Sequence, residues 1–423
     1  MCFIDRNILT NKFGNVFMKK NQRNRLTTVI LGAIVLSFIT VDLQADNREN
    51  AASIFQKNIL EEKFYSEGAY YADINRDGKL DMIAGPFWYE GPDYKTRHEY
   101  AEPVEVVNLE SYAQYFFVFS GDFNGDGWAD ILSVSFPGKE AHWFENPQGK
   151  DGLWKKTLAI ASVGNESPDL VDMDGDGQPD LIYTQGGLAG YASYDVKNPY
   201  AIWKFHPVST DKLGRAGHGV GYGDINGDGK LDLIVSEGWY EAPKEAAATP
   251  WQFHRFDFAD AAAQLLVFDI DGDGKNDVVT SWHCHHYGLL WYRQIQDTDG
   301  QIAWEKHEII PVTPDLTSDA LRITQMHAFD KADFNGDGRM DFVTGKRRWA
   351  HGSKGDSEPN APFVLYWFEN TMDENGKTFF RPHLMDDHSG VGTQVVAVDM
   401  NGDKKPDVIV GNKNGIFMFI NKR

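Results

Sequence analysis

From residue 50 onward the chain alternates short apolar runs, rich in β-branched and aromatic side chains, with polar stretches dense in Asp, Asn and Gly. Runs such as LDLIVSEGWY from Leu231 and FVTGK from Phe342 have the length and composition of β-strands. In mid-chain, GHGVGYGDI predicts a first strand, LDLIVSEGWY a second, a third follows, and WQFHRFDF from Trp251 predicts a fourth. The fourth-strand phrase recurs as WKKTLAI, WKFHPVS, WEKHEII and FRPHLMD. FQKNILE, from Phe55, has the same character but precedes every other group, whereas PDVIVGNKNGIFMFINKR at the other end lacks such a phrase. The N-terminal strand is therefore expected to complete the last group.

The polar stretches repeat one phrase seven times: DINRDGKLD, DFNGDGWAD, DMDGDGQPD, DINGDGKLD, DIDGDGKND, DFNGDGRMD and DMNGDKKPD, with intervals of 49, 50, 52, 45, 64 and 66 residues. A period of about 40–50 residues is that of propeller blades. The expected fold is all-β, a single seven-bladed β-propeller over residues 50–423, its ring closed by the N-terminal strand.

Each phrase sets oxygen donors at relative positions 1, 3, 5 and 9. They are Asp73, Asn75, Asp77 and Asp81 in the first copy, Asp122, Asn124, Asp126 and Asp130 in the second, and Asp172, Asp174, Asp176 and Asp180 in the third. Asp224, Asn226, Asp228 and Asp232 follow, then Asp269, Asp271, Asp273 and Asp277. The last two sets are Asp333, Asn335, Asp337 and Asp341, and Asp399, Asn401, Asp403 and Asp407. Oxygen-only ligands in a flexible loop select Ca²⁺, so up to seven structural calcium ions are expected. An EF-hand is excluded because position 12 holds no Glu and the flanks are not helical. Six copies have Gly at position 6 for the sharp bend; Lys404 in the seventh predicts a weaker site.

With 62 acidic against 41 basic residues the chain carries a formal charge of −21, which argues against a nucleic-acid partner. The loops alone hold 23 Asp, so this charge is read as metal-site chemistry. Lys19, Lys20, Arg23 and Arg25, the apolar run from Leu26 to Ile39 and Leu43-Gln44-Ala45 predict a cleaved export signal over residues 1–45, with Met18 as an alternative start. A retained anchor is the competing reading, and the apolar run falls short of the ~20 residues a span needs. The protein is expected in the periplasm or secreted, with no membrane span in the mature chain and no obligate protein partner. Cys2 would leave with the signal, so Cys284 alone remains and no disulfide framework exists.

In an up-and-down blade the 2→3 and 4→1 connections share the face opposite the metal loops. Those connections carry His218, then His283, His285, His286 and Tyr287, then His327, then Lys346, Arg347, Arg348, Trp349 and His351, and finally His388. So many imidazoles on consecutive blades suggest a transition-metal site, a general base, or both, with Zn²⁺ or another divalent ion as the cofactor. Lys346 to Arg348 suits an anionic group or is a solvated turn, and Cys284 is a ligand or a core thiol. Trp88, Tyr89, Trp239 and Tyr240 offer aromatic surface for sugar stacking or pack between blades.

The repeats resemble the FG-GAP and VCBS family, whose propellers include the integrin α-subunit head. GHGVGYGDINGDGKLDLIVSEGWYE, SWHCHHYGLLWY and MHAFDKADFNGDGRMDFVTGKRRWAHG are similar to the propeller domain of aldos-2-ulose dehydratase and its bacterial relatives. That resemblance implies a carbon–oxygen lyase that dehydrates a keto-sugar with a metal's help. The family's dehydratase/isomerase continues into cupin domains beyond its propeller; here only the elimination half is carried over. On this reading His218, His285 and His327 are ligand or base candidates, Tyr287 donates a proton to the leaving group and Arg347 supports an oxyanion. Trp239, Tyr240, Lys346, Trp349, His351 and His388 are candidates for substrate contact. A non-catalytic propeller binding glycan or protein, and a polysaccharide lyase, are the rival expectations.

Overall fold

A computed structural model describes residues 54–423 apart from 215–216 and 246–248. The expected export signal lies outside the described residues. No described helix is long and apolar enough to cross a membrane.

The chain folds as an all-β propeller, with 28 strands among the described residues. They form five four-stranded sheets and one eight-stranded sheet, in which two four-strand meanders are joined by a parallel pairing of Val220–Gly223 with Leu265–Phe268. The first of these two meanders runs Val220–Gly223, Asp232–Val235, Gly238–Glu241 and Gln252–Arg255. The LDLIVSEGWY run thus splits, because the chain reverses after Val235 and Gly238 enters the next strand at φ +149°. Trp239 and Tyr240 consequently belong to a third strand. Phe55–Glu61 pairs antiparallel with Gly415–Asn421 as the outermost strand of the last sheet, as its sequence predicted.

Adjacent sheets bury apolar faces against one another. One such layer packs Phe117, Phe119, Leu132 and Trp143 of one sheet against Leu181, Tyr183 and Ala192 of the next. Polar locks cross the same seams. Asn146 Nδ2 donates to Ile74 O at 3.0 Å, Gln294 Nε2 to Ile225 O at 2.8 Å, Asn370 Nδ2 to Ile270 O at 2.8 Å and Asn421 Nδ2 to Phe334 O at 2.8 Å. At the closing seam Tyr94 Oη donates to Met400 O at 2.6 Å. Every one of these carbonyls belongs to position 2 of an Asp-rich loop.

The position-9 Asp is the inner staple of each loop. Asp81, Asp130, Asp232, Asp277, Asp341 and Asp407 are fully buried. Asp341 is typical, accepting from Phe334 N at 3.0 Å and Asn370 N at 2.8 Å. Burial raises its pKa to about 7, and backbone donors only partly offset this. Two residues per loop sit in the left-handed region, where Gly is strain-free. Gly227 at position 4 has φ +77° and Gly229 at position 6 has φ +84°. The exceptions take the same shape: Arg76 has φ +60° and Lys404 has φ +67°.

Candidate functional site

On the face opposite the loops, His285 is the hub of an imidazole group. Its ring centroid lies 5.0 Å from His218, 5.6 Å from His283, 4.8 Å from His327 and 4.4 Å from His351. The sequence-derived face is therefore real for these residues. His286 lies at its edge, Nδ1 2.7 Å from Ser357 Oγ. The two long insertions meet here, Thr324 Oγ1 donating to Ser357 O at 3.0 Å and Arg347 N to Gln325 O at 3.0 Å. Three residues in these walls, Gln325, Trp349 and Glu358, hold positive φ values of 60°, 54° and 44°. Strain of this kind tends to concentrate at functional sites.

His327 and His285 are buried, and His327 Nε2 and His285 Nδ1 have no hydrogen-bond partner. His327 Nδ1 lies 3.1 Å from Gln325 O, so that nitrogen carries the proton and Nε2 presents a lone pair. Burial, with the neighbouring imidazoles of His218 and His351, pushes His285 down to about 2. Burial, then the Arg347 charge, pushes His327 well below the usual histidine range; burial also lowers His218 and His283. His351 goes the other way because Asp356 accepts its Nδ1–H at 2.9 Å.

Buried neutral imidazoles make good metal ligands. Donor atoms of His218, Cys284 and His285 lie within 4.8 Å of one another, as do those of His285, His351 and Asp356. Cys284 Sγ is 3.3 Å from His218 Nδ1, and burial raises its thiol well above the usual range. The two unpaired nitrogens and this N/S/O set fit a divalent transition metal. In the Asp-rich loops, Asp172, Asp174 and Asp180 form one oxygen triad and Asp269, Asp271 and Asp273 another. These oxygens fit a hard cation. In the fifth loop Arg293 pairs with Asp271 and lies 3.4 Å from Asp273, so a cation there competes with a guanidinium.

Several sequence-derived roles change with the geometry. Arg347 is fully buried: Nη2 donates to Glu67 Oε2 at 3.0 Å and Nη1 to Glu166 Oε2 at 3.3 Å, beneath the rings of Tyr112 and Phe116. Its charge is consumed by these carboxylates, so it holds Glu166 in place and faces no oxyanion. Tyr287 is raised by burial and by Glu358, whose carboxylate also lies 3.8 Å from Arg322; its described neighbours are these groups and not the imidazoles. Lys346 is buried and donates to Thr324 Oγ1 at 2.5 Å; burial lowers it to about 8. Trp349 Nε1 donates to Pro359 O at 2.9 Å, fixing a wall of the site. His388 is exposed beside Asp387, and no described contact joins it to the imidazoles. Trp239 stacks on His254 at 4.1 Å and Tyr240 packs against Phe253, which makes both packing residues; Trp88 stacks on His98 in the same way.

Sequence reasoning missed three carboxylates. Glu166 Oε2 lies 3.9 Å from His327 Nε2, Glu67 backs Arg347, and Asp356 touches both His351 and His285. Glu67 and Glu166 occupy connections just before a first strand, as do His218 and His327, so the rule that found the imidazoles would have found them had it included carboxylates.

The FG-GAP-like repeat model matches residues 122–183, 269–344 and 333–410. The T-cell immunomodulatory protein homolog of Plasmodium falciparum is 25% identical over 252 residues, 54% of this chain; the match spans 33% of that relative's length. Among solved structures, BBS1N from its complex with ARL6DN aligns with a TM-score of 0.50 at 10% identity, over 88% of this chain and 98% of that one. An Agrocybe aegerita lectin that recognises non-reducing terminal N-acetylglucosamine aligns with a TM-score of 0.45 at 17% identity, over 75% of this chain and 80% of the lectin. The chain is an all-β propeller that carries FG-GAP-like repeats over the residues matched by that repeat model.

Proposed function

We propose that the protein is an exported, metal-assisted carbon–oxygen lyase acting on a carbonyl-bearing sugar, at the imidazole face of a seven-bladed propeller. The blade count treats the eight-stranded sheet as two blades joined along their inner strands. Export rests on the N-terminal sequence, and structural calcium rests on the oxygen sets of the loops. The similarity of three long segments to the aldos-2-ulose dehydratase propeller supports the reaction class.

The observation that carries the reading is the pair of buried, unpaired ring nitrogens, His285 Nδ1 and His327 Nε2, inside one imidazole group. An apolar core gains nothing from two unsatisfied buried nitrogens, each of which costs about 1–3 kcal/mol. His218 and His285, with Cys284 or Asp356 nearby, would hold a divalent ion. Bound there, such an ion supplies Lewis acidity that polarises a carbonyl and acidifies the adjacent C–H. His327 Nε2 accepts that proton, and Glu166, 3.9 Å away, balances the imidazolium that forms. His351, oriented by Asp356 and with an exposed side chain, protonates the departing oxygen in place of Tyr287.

The test is metal content and turnover together. The mature protein should carry calcium plus about one transition metal, His285→Ala should lose the latter, and His327→Ala should abolish elimination of keto-sugars while keeping the fold. Calcium alone in both wild type and His285→Ala, with no elimination from monomeric or polymeric sugars, would leave a binding propeller.

A further inference from the structure

The other end of the propeller axis holds a second polar compartment that the lyase reading does not use. All seven inner strands line a cavity of about 270 Å³. Its floor is Gln264 and Gln394, both five residues ahead of a loop's first Asp, and both amides are committed to backbone groups. Beyond them the walls run up to residues two before that Asp, so the cavity fills the loop-side half of the axis.

Its chemistry is unlike a propeller core. Three residues before each loop the chain places Tyr70, Phe119, Asp169, Gly221, Leu266, Asp330 and Val396. Five carry no carboxyl; Asp169 and Asp330 bring carboxyl groups into a slot that packing would fill with hydrocarbon. Burying a charge without need costs several kcal/mol. Asp330 is satisfied by Lys331 N and Ala397 N, both at 2.7 Å. Asp169 accepts only from Leu170 N, at 2.8 Å, among the described residues. Lys331 Nζ spends one donor on Val267 O at 2.5 Å and keeps the others. The hydroxyls of Tyr70, Tyr71 and Tyr222, which line the same space, have no described hydrogen-bond partner.

Unused acceptors and unused donors therefore face one small volume. A bare cation would meet the Lys331 ammonium, and an anion would meet two carboxylates. Hydroxyl groups, which donate and accept at once, match the whole set. The volume lies at the small end of ligand sites, typically about 300–1,000 Å³, which limits the guest to a single ring. We propose that this axial cavity binds one neutral sugar or polyol unit, independently of the imidazole site.

The test is calorimetric titration of the full mature protein, in calcium buffer, with glucose, galactose and mannose. Phosphate and tetramethylammonium serve as charged probes. At least one sugar should bind, Asp169→Ala should weaken it about tenfold and Tyr222→Phe about fivefold, the loss expected for one charged and one neutral hydrogen bond. His327→Ala should leave that affinity unchanged. If Asp169→Ala does not fold, Asp169→Asn and Tyr222→Phe carry the test. Three results would overturn the proposal: binding of only a charged probe, sugar binding lost in His327→Ala but kept in the cavity variants, or no sugar binding at all. The lyase reading is judged separately, by transition-metal content and elimination.

Discussion

The two ends of the propeller axis handle charge in opposite ways. At the imidazole end the charges next to the rings are closed into pairs: Arg347 with Glu67 and Glu166, and His351 with Asp356. What stays open there is neutral, the ring nitrogens His285 Nδ1 and His327 Nε2, which make no hydrogen bond. At the loop end an ammonium and a carboxylate, Lys331 and Asp169, keep unused bonding capacity beside three phenols. The difference follows from where the residues come from. Connections of free length build the first end and can fold back until charges meet, whereas fixed positions on seven short strands build the second.

The largest effect is expected from breaking the closed pairs. Arg347→Ala strands two carboxylates, one of them the fully buried Glu67, and should cost about 3–5 kcal/mol in denaturant unfolding. Glu67→Gln combined with Arg347→Met should recover part of that loss. If Arg347→Ala costs no more than an ordinary surface substitution, this end is not held by its ion pairs.

Next comes the seam that both ends share. Asn146 Nδ2 donates to Ile74 O and Ala129 O, so Asn146→Ala leaves two carbonyls without a partner and should cost about 1–3 kcal/mol. Because Ile74 N is bound to Asp81, the loss should propagate into the first Asp-rich loop and weaken binding of the proposed calcium, so thermal stability should fall more in saturating calcium than in chelator. Thermal melts with and without calcium check both points.

These partnerships separate what was legible in the sequence from what was not. The loops, the strand pattern and the closing role of Phe55–Glu61 rest on a repeat, and a repeat is visible without coordinates. The convergence of His218, His285, His327 and His351 followed from blade topology alone. Arg347 did not, because its partner Glu67 lies 280 residues away and nothing local announces the pair. Trp239 was misread for a different reason: a two-residue reversal at Ser236 and Glu237 carries no strong turn signal, so two strands looked like one. The axial cavity was invisible because Asp169 and Asp330 reach its wall from two separate sheets, on strands Asp169–Val171 and Phe329–Ala332, each looking like an isolated polar residue near a loop.

The loop end should reveal itself in the pH dependence of stability. Burial raises Asp169 to about 7 and Asp330 to about 6, against 3.8 for the free side chain. Between those values the native state holds more protons than the unfolded chain, so stability contributed by these groups is complete below pH 4 and is lost as pH rises through 6 to 7. The slope from each group is at most about 1.4 kcal/mol per pH unit. Asp169→Asn should flatten the profile in that window, measured as the urea midpoint from pH 4 to 8, while His327→Ala, which removes an imidazole held well below the usual histidine range, should steepen it.

The smallest effect belongs to the loops themselves, where two copies break the glycine rule and keep the shape. Lys404 sits at φ +67° and still donates its N–H to Asp399 Oδ2 at 2.7 Å, the bond Gly229 makes to Asp224 at 2.9 Å. A side chain in the left-handed region costs about 1–2 kcal/mol, and the extra freedom of glycine in the unfolded chain takes back up to about 1. Lys404→Gly should therefore stabilise the protein by about 0.5–1 kcal/mol in chelator. If the loop holds the proposed calcium, removing the lysine's positive charge should also tighten that ion's binding, so the gain should be larger with calcium present. Arg76→Gly, at φ +60° in the first loop, is the matched variant, because it relieves the same strain and removes a positive charge from position 4. Equal gains with and without calcium in both variants would mean that strain alone distinguishes these loops. No gain in either would mean that the loop hydrogen bonds already absorb it.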